Sequence, residues 1–319
     1  MNPEATEILV EGLGIGSIYA IVAMGFVVIY KTSRVLNFAH GAIGAAGGLI
    51  MASLVTDGGL GISQLRDANP LRQFADSTWG WGLNLALAMV LCGVLAMAFE
   101  RVFIRPMIGQ SPYTLIILTI GIWIAFERFT RNAPIAPLLR VPWGAETTTW
   151  GDAIVTKSAI ASIVFGLLAI AGIGIFNRTK AGLAARAVAS DVEVALSMGI
   201  DSGRVYRSTW ALSAALATMA AVAFSFSPRG VGTIDAAGTP DLFVRALPVI
   251  AIGGWDSYKG AYVAGLGIGV IQAATGRLLY QHTDVLGAGY PRVIPYVLMV
   301  IVLLIRPWGL YGERTVRRV

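Results

Sequence analysis

Catalytic and metal-binding residue types are scarce in this chain of 319 residues, and their scarcity excludes several classes of function. The single cysteine, Cys92, excludes an intrachain disulfide and any metal cluster built on cysteines. His40 and His282 are the only histidines, so a zinc site with three protein ligands is not expected. The sequence has no nucleophile elbow, His-x-x-x-His pair or Cys-x-x-Cys pair, and an intramembrane enzyme would therefore lack its nucleophile and base.

A phosphate-binding loop is also missing, because the pattern G-x-x-x-x-G-K-[ST] occurs nowhere in the chain. If nucleotide hydrolysis drives the function of this protein, the ATPase must be a separate polypeptide. We therefore expect a non-enzymatic chain that binds no cofactor of its own, with any ATP hydrolysed by partner subunits.

Charged residues are few as well. They make up 13% of the chain against 56% hydrophobic residues, whereas a soluble domain is about 25% charged. This balance predicts an all-α, polytopic transmembrane bundle that forms a single domain over residues 1–319. The segment Met1–Glu7 is acidic and lacks the basic start of a signal peptide, so we expect the first span to be retained.

Apolar runs of roughly 20 residues predict about 8–10 crossings of the membrane. The candidate spans are Ile8–Tyr30, Val35–Val55, Trp81–Phe103, Tyr113–Phe126, Ile154–Phe176, Val205–Phe226, Leu242–Gly254, Tyr262–Leu279 and Pro291–Ile305. The first, third, fifth and sixth have the length of complete crossings, whereas the runs at Tyr113 and Leu242 are as short as half-spans or re-entrant segments. An odd number of spans is compatible with inverted repeats that relate spans one to four to spans six to nine.

Basic residues cluster at the ends of the spans, which points to membrane orientation and not to nucleic-acid binding. With alternating spans, one face of the membrane receives Lys31, Arg34, Arg101, Arg105, Arg178, Lys180, Arg186, Arg204, Arg207, Lys259, Arg306, Arg314, Arg317 and Arg318. The positive-inside rule then predicts an external N-terminus and a cytoplasmic C-terminus in the cell's inner (plasma) membrane. Two longer external loops fall at Asp57–Gly80 and Glu127–Thr149.

Polar side chains interrupt the second predicted span. Asn37 and His40 are costly in hydrocarbon unless a partner or a water-lined cavity satisfies them. Gly41 and the glycines that follow it weaken a helix and let backbones approach closely. This combination is typical of a solute pathway, which we place along Asn37, Phe38, His40 and Gly41. The alternative is that Asn37 and His40 only form hydrogen bonds that hold helices together.

Tyr19 lies beside the glycine-rich pattern Gly12-x-Gly14-x-Gly16 of the first span. Close packing of helices is its first expected role, and lining of the pathway is the second. Arg245 and Arg277 lie near span ends, where we expect them to snorkel towards the membrane surface. The spans contain no cluster of acidic residues, which argues against an ion-coupled secondary transporter.

A polar block at Lys180–Arg204 separates the fifth and sixth spans. Apolar residues recur in it near helical spacing and Gly199 is a plausible helix stop, which predicts one or two short amphipathic helices on the cytoplasmic face. Such a helix either rests on lipid headgroups or docks into a groove of a soluble partner. The mixed charge and small residues favour docking, for which the candidate residues are Gly182, Arg186, Asp191, Ala195 and Gly199.

The order of these motifs resembles the permeases of ABC importers for branched-chain amino acids, in particular the family's first permease subunit. The resemblance covers most of the chain, from about Gly12 to Ala274. Its motifs are Gly14–Ala20, Met24-Gly25, Val28–Tyr30, Asn37–Gly41, Ala184–Ala187, Ala189–Asp191, Ala195, Met198–Ile200, Ala251–Gly254, Tyr258–Ala261 and Gly265.

The resemblance implies an assembly in which this chain is one membrane-spanning subunit. The expected partners are a second related permease, two cytoplasmic ABC ATPases and an external substrate-binding protein. It implies leucine, isoleucine and valine as substrates, while other members of the family carry urea or short amides. The chain departs from the pattern in the insertions Leu60–Trp79 and Pro134–Thr149 and in the pair Trp255-Asp256. A self-sufficient channel or secondary carrier is the alternative from a different class.

Overall fold

The computed structural model describes residues 3–55, 69–71, 74, 76–107, 110–132, 139, 141–226, 238–280 and 289–312. Most of the first predicted insertion and part of the second lie outside these ranges. So do His282 and the C-terminal arginines Arg314, Arg317 and Arg318.

The fold is almost entirely helical, as expected. The α-helices are α1 (Pro3–Ser33), α2 (His40–Val55), α3 (Thr78–Phe99), α4 (Pro112–Asn132), α5 (Lys157–Arg178), α6 (Lys180–Ser190), α7 (Val192–Ser197), α8 (Ser202–Phe226), α9 (Gly238–Gly253), α10 (Tyr258–Leu278) and α11 (Tyr290–Ile305). A π-helical turn and a 3-10 turn extend α3 to Met107. An antiparallel hairpin of β1 (Thr147–Trp150) and β2 (Ala153–Thr156) pairs Thr147 with Thr156.

Each of the predicted spans corresponds to one helix, although several bounds differ. The predicted start of the fifth span, Ile154, lies in β2, and α5 begins at Lys157. Among the described residues, four helices are long and apolar enough to cross a membrane: α1, the extended α3, α5 and α8, which are the four predicted as complete crossings. The run at Tyr113 belongs to α4, which continues to Asn132 and has 21 residues. The run at Leu242 belongs to α9, which begins earlier, at Gly238, and has 16 residues, fewer than the roughly 20 of a complete crossing.

Helix α1 is the centre of the bundle because its glycines let α10 approach to backbone contact. The two helices interlock through Gly12 and Gly16 on α1 and Gly265 and Gly269 on α10. A Cβ at Gly269 would lie 2.3 Å from the backbone oxygen of Gly12. No side chain fits there, so the close packing predicted from the glycine pattern is confirmed.

The two ends of the bundle gather the loops that were predicted to lie on the same face. At one end, the Lys31 ammonium donates a hydrogen bond to the carbonyl of Asp256, at 3.2 Å, and Arg105 donates to the carbonyl of Gly203, at 2.9 Å. At the other end, Arg277 pairs with Glu7 at 3.0 Å. These contacts agree with alternating spans, while the direction in which the bundle faces stays a prediction. We call these the basic end and the Glu7 end.

The end of the described chain folds back onto the α9–α10 turn. The backbone N–H of Leu310 donates to the carbonyl of Ile252 at 2.7 Å, and that of Tyr311 donates to Gly253 at 3.2 Å. Gly254 adopts a φ of +103°, which other residues rarely adopt. This contact explains why two glycines stand together at this turn.

Candidate functional site

The Asn37 motif lies in a turn and not in the helix that the sequence predicts from Val35. Helix α1 ends where Arg34 adopts a φ of +55°, and residues 35–39 are non-helical before α2 begins at His40. The side-chain carbonyl of Asn37 accepts a hydrogen bond from the Ala39 N–H at 3.1 Å. Asparagine side chains commonly compete with the helical hydrogen bonds in this way, and so the predicted start of the second span was wrong by about one turn.

His40 is buried at the first turn of α2 and held between two helices. Its Nδ1 lies 3.2 Å from the hydroxyl of Ser213 on α8. On the opposite side the ring lies against Gly25 of α1, where a Cβ would come within 2.8 Å of the imidazole carbon Cε1. Gly25 lies two turns before the end of α1, so the ring is about 12 Å inside the bundle from the basic end.

Asn37 and His40 each have one side-chain nitrogen without a hydrogen-bond partner among the described residues. These atoms are Nδ2 of Asn37 and Nε2 of His40, both fully buried. The backbone carbonyl of Val22 lies near the imidazole of His40, but not in the geometry of a hydrogen bond. A buried polar group without a partner costs about 1–3 kcal/mol, and such groups are common where a ligand or water is handled.

A small cavity adjoins His40. Its volume is about 10 Å³, and its lining includes Val22, His40, Gly41, Ala217, Leu242 and Phe243. That is room for about one water molecule, whereas a pocket for a small organic ligand is typically about 300–1,000 Å³. The structure is therefore closed at this level of the bundle.

The glycines after His40 pack α2 against α8. A Cβ at Gly44 would lie 2.9 Å from the carbonyl oxygen of Ala217. At Gly47 it would overlap the side chain of Thr218. The expectation that these glycines allow close approach is confirmed for this pair of helices.

Aromatic side chains close the space between His40 and the basic end, a feature that the sequence analysis missed. Phe243 of α9 lies 6.1 Å from the His40 ring and 5.5 Å from Phe26 of α1. Phe26 in turn lies 5.7 Å from Trp255, which is 5.6 Å from Tyr30. Trp255, one of the departures from the family pattern, thus places its indole ring at the α9–α10 turn, at the end of this row of aromatic side chains. We call these residues (Phe26, Tyr30, Phe243 and Trp255) the aromatic plug.

Phe38 and Gly41 also lie at this site. The Phe38 ring is 5.7 Å from Phe243, and its backbone N–H donates to the hydroxyl of Thr119 on α4, at 3.3 Å. Gly41 is buried and lines the cavity. The structure therefore brings Asn37, Phe38, His40 and Gly41 together, and their role as a pathway stays a prediction.

Tyr19 lies one turn from this cavity, on the side of the Glu7 end. Its buried phenol has Arg245 and Gln272 as neighbours. Arg245 forms an ion pair with Asp241, at 2.8 Å between Nε and Oδ2. Arg245 is thus paired within the bundle, while Arg277, the other arginine expected to snorkel, is paired with Glu7. The Asp241–Arg245 pair has i,i+4 spacing on one helix and was overlooked in the sequence, whereas the Arg277–Glu7 pair joins distant positions that no local pattern connects.

The polar block forms two short helices, as predicted. Thr179 caps α6, and the carboxylate of Asp191 caps α7 by accepting from the N–H of Val194 at 3.0 Å. Gly199 ends α7 with a φ of +80°, while the N–H of Ile200 donates to the carbonyl of Ala195 at 3.0 Å. This is the Schellman arrangement, which confirms Gly199 as the helix stop.

The five residues chosen for docking have unequal access to a partner. Gly182 is buried against the end of α5, where a Cβ would overlap the Phe176 carbonyl. Ala195 is 3% exposed. Arg186 and Asp191 are exposed, although Arg186 also donates to the carbonyl of Asn177, at 2.5 Å. Their docking role stays a prediction.

Exposed apolar side chains form a surface on α6 and α7 that the sequence analysis did not single out. Met198 is 78% exposed and Leu196 is 51% exposed, and their exposed neighbours are Leu183, Val192 and Val194. We call these five residues the α6–α7 surface. From Val192 to Met198 they recur at every second position, which is not the spacing of one helical face, so the sequence pattern did not mark them. Contacts with α1 and α8 decide which side of α6 faces inward.

The sequence was compared with known proteins. The model of the family described as "Branched-chain amino acid transport system / permease component" matches residues 8–303. The permease protein BraD of Pseudomonas aeruginosa, named for high-affinity branched-chain amino acid transport, is 28% identical over 98% of this chain and 97% of its own length.

LivH of Escherichia coli K12, named for the same transport system, is 27% identical over 97% of this chain and 96% of its own length. Among solved structures, PsaBC from Streptococcus pneumoniae in complex with Fab covers 95% of this chain and 91% of that chain, with 12% identity and a TM-score of 0.45. The family match extends over nearly the whole chain and confirms the resemblance carried by the motifs. The chain therefore belongs to the branched-chain amino acid permease family, the membrane-spanning components of ABC importers.

Proposed function

We propose that this chain translocates branched-chain or similar hydrophobic amino acids as one of two related permease subunits, driven by two separate ABC ATPases and supplied by an external binding protein. The names of relatives that match nearly all of the chain support this substrate class. The observation that carries the mechanism is the pair of buried, unpartnered nitrogens of Asn37 and His40, the second of which belongs to a side chain that lines a water-sized cavity inside the bundle.

The closed cavity fits a passage that opens only during the transport cycle. The ammonium and carboxylate of an amino acid are costly to remove from water, whereas its apolar side chain is not. When the helices separate, Nδ2 of Asn37 and Nε2 of His40 become available to water or to the passing polar groups. Between cycles the aromatic plug keeps the path shut on the side of the basic end.

The α6–α7 surface is the proposed docking site for an ATPase. Apolar side chains exposed on capped, well-formed helices are stabilised when a protein groove covers them. Helix α6 also packs against the end of α1, where Lys31 lies 5.2 Å from the ring of Tyr258 on α10. Movement of α6 would therefore act on α1 and on the turn that carries Trp255.

Uptake by the purified assembly tests this function. The complex is isolated through an affinity tag on this chain, reconstituted in liposomes with its binding protein and supplied with radiolabelled leucine, with or without ATP. We expect ATP-dependent leucine uptake that excess isoleucine and valine suppress and excess urea or acetamide does not.

Two results would overturn the proposal in different ways. Uptake of urea or acetamide in place of leucine would favour the alternative substrates of the family. Leucine uptake by this chain alone, without ATP, would establish a self-sufficient carrier. A transport-inactive control is the same assembly with an ATPase subunit that cannot hydrolyse ATP.

A further inference from the structure

A second polar cluster lies between the His40 cavity and the Glu7 end. Tyr19 precedes the cavity residue Val22 by one turn of α1, and Asp241 directly precedes the cavity residue Leu242 on α9. Both helices run from the Glu7 end towards the basic end. A solute that enters from the Glu7 end would therefore pass this cluster before it reaches His40.

The cluster joins one pair of opposite charges to neutral polar groups on neighbouring helices. Arg245 and Asp241 form the ion pair on α9, and Tyr19 of α1 has both the Arg245 guanidinium and the side chain of Gln272 on α10 as neighbours. The side-chain carbonyl oxygen of Gln272 is buried without a hydrogen-bond partner among the described residues. The cluster thus has a cation, an anion, a hydroxyl and a vacant acceptor.

One side of this cluster lies at the surface of the chain. The side chain of Asp241 is 50% exposed and that of Arg245 is 26% exposed, whereas Tyr19 is buried. The guanidinium also lies over the ring of Phe224 on α8, 5.9 Å from its centre. The pair therefore lies at the boundary between the surface of the chain and the packed interior.

The position of the ion pair on α9 is fixed by a contact to α11. Pro248 has no N–H, so the carbonyl of Val244 loses its helical donor. The hydroxyl of Tyr296 on α11 donates to that carbonyl at 3.2 Å. This bond stabilises the turn of α9 that carries Arg245.

We propose that Asp241 and Arg245, with Tyr19 and Gln272, bind the charged backbone groups of an amino acid on its way to His40. This inference rests on the proposed function and deepens it. The guanidinium would take the carboxylate in a two-bond arrangement, with the Tyr19 hydroxyl beside it. The ammonium would lie between the Asp241 carboxylate and the vacant Gln272 oxygen, and the apolar side chain would face Leu242 and Val22.

The resting ion pair explains how the empty site avoids the destabilisation that an unpaired charge would cause. An unpaired charge at the edge of the bundle is strongly destabilising, but here each charge already has a partner. A zwitterion replaces one ion pair by two, so the exchange is electrostatically balanced. Because the resting pair must separate, binding is weak, which suits a site that must release its ligand inward.

The same reasoning separates amino acids from the alternative substrates of the family. Urea and short amides carry no charge and gain nothing when the Asp241–Arg245 pair separates. The cluster therefore predicts selectivity for zwitterions within the permease itself, in addition to any selectivity of the binding protein.

Single substitutions test the site in the reconstituted complex. We expect Arg245→Gln and Asp241→Asn each to lower the maximal rate of leucine uptake by about tenfold or more, since each removes a hydrogen-bonded charge worth about 1.5–3 kcal/mol. The stimulation of ATP hydrolysis by the loaded binding protein should persist, which shows that the variant assembles. Arg292→Gln, at an exposed arginine of α11, is the matched control and should transport normally.

An exchanged variant, Asp241→Arg with Arg245→Asp, shows whether the ion pair binds the solute or only stabilises α9. It restores an ion pair on the same turn but reverses the positions of the charges. We expect uptake to stay low, and uptake at the wild-type rate would show that the pair only stabilises α9 and would overturn the proposal. Normal uptake by both single variants would overturn it as well.

Photo-crosslinking provides a measurement that does not depend on turnover. A diazirine analogue of leucine should label peptides of α1 and α9 in the wild-type complex, and leucine but not urea should compete. Unchanged labelling in Arg245→Gln would contradict this site. If the wild-type complex takes up no leucine at all, the proposed function fails; if it does and the variants match it, only this inference fails.

Discussion

The interior around His40 and the α6–α7 surface have opposite defects. Inside the bundle, Asn37 and His40 bury nitrogen atoms without hydrogen-bond partners. Outside, Leu196 and Met198 expose apolar side chains. Each arrangement is unfavourable in the isolated chain, because buried polar groups require partners and exposed apolar patches require cover.

The comparison shows where the chain depends on other molecules. The local structure of both regions is well specified, with an asparagine turn before α2 and capped helices at α6 and α7. Poor folding therefore does not explain the defects. Water or substrate would relieve the first, and an ATPase groove would relieve the second.

The largest expected effect comes from Gly269→Leu, which would disrupt the packing of α10 against α1 that positions the interior around His40. The new side chain would meet the backbone of Gly12 and Gly16, which cannot move aside. We expect a cost above the about 1–3 kcal/mol typical of overpacking, and loss of monodisperse protein in size-exclusion chromatography. Gly174→Leu, where a Cβ meets nothing within 4 Å, is the control and should yield normal protein.

The second largest effect is expected at the α6–α7 surface. Leu196→Glu with Met198→Glu places charges on the α6–α7 surface, so the ATPase subunits should no longer co-purify with a tagged permease. Leu196→Met with Met198→Leu keeps the surface apolar and should retain them. Undiminished ATPase recovery with the glutamate variant would assign this surface to lipid headgroups.

The third effect is expected in the interior around His40. Asn37→Leu with His40→Leu should reduce leucine uptake by about tenfold or more while the ATPases still co-purify, because the polar groups of the passage are lost. Ser213→Ala removes the hydroxyl beside His40 but leaves the imidazole in place, and should change uptake far less. Normal uptake by the double variant would mean that the two side chains only hold helices together.

The smallest effect distinguishes a helix cap from a docking charge at Asp191. Asp191→Ala should weaken ATPase binding about fivefold, since loss of an N-cap costs about 1 kcal/mol. Asp191→Asn keeps the cap and should bind normally. If asparagine weakens binding as much as alanine does, the carboxylate itself contacts the partner. Titration of the permease with purified ATPase measures both variants.

Features that depend on nearby residues were predictable from the sequence. The apolar runs located the helices of the predicted spans, the glycine spacing predicted close packing of the first span, and Gly199 marked the end of α7. Local chemistry also explains the wrong start of the second span, because the short side chain of Asn37 accepts the hydrogen bond of a turn in place of a helical one.

Features that join distant parts of the chain were not predictable. The aromatic plug combines Phe26 with Phe243 and Trp255, and the second polar cluster combines Tyr19 with Arg245. No periodicity connects such positions, because the packing of α1 against α9 and α10 decides them. The sequence showed these residues separately, and only the fold shows that they meet.

The turn at residues 35–39 has a mechanical consequence. A helix resists bending because its ladder of hydrogen bonds must break, whereas the backbone of this turn carries no such ladder. Rotation about a few of its dihedral angles would redirect His40 while α1 and α2 remain intact. The polypeptide thus has a joint beside the His40 cavity, where a small local rotation would move the imidazole relative to Ser213 and Gly25.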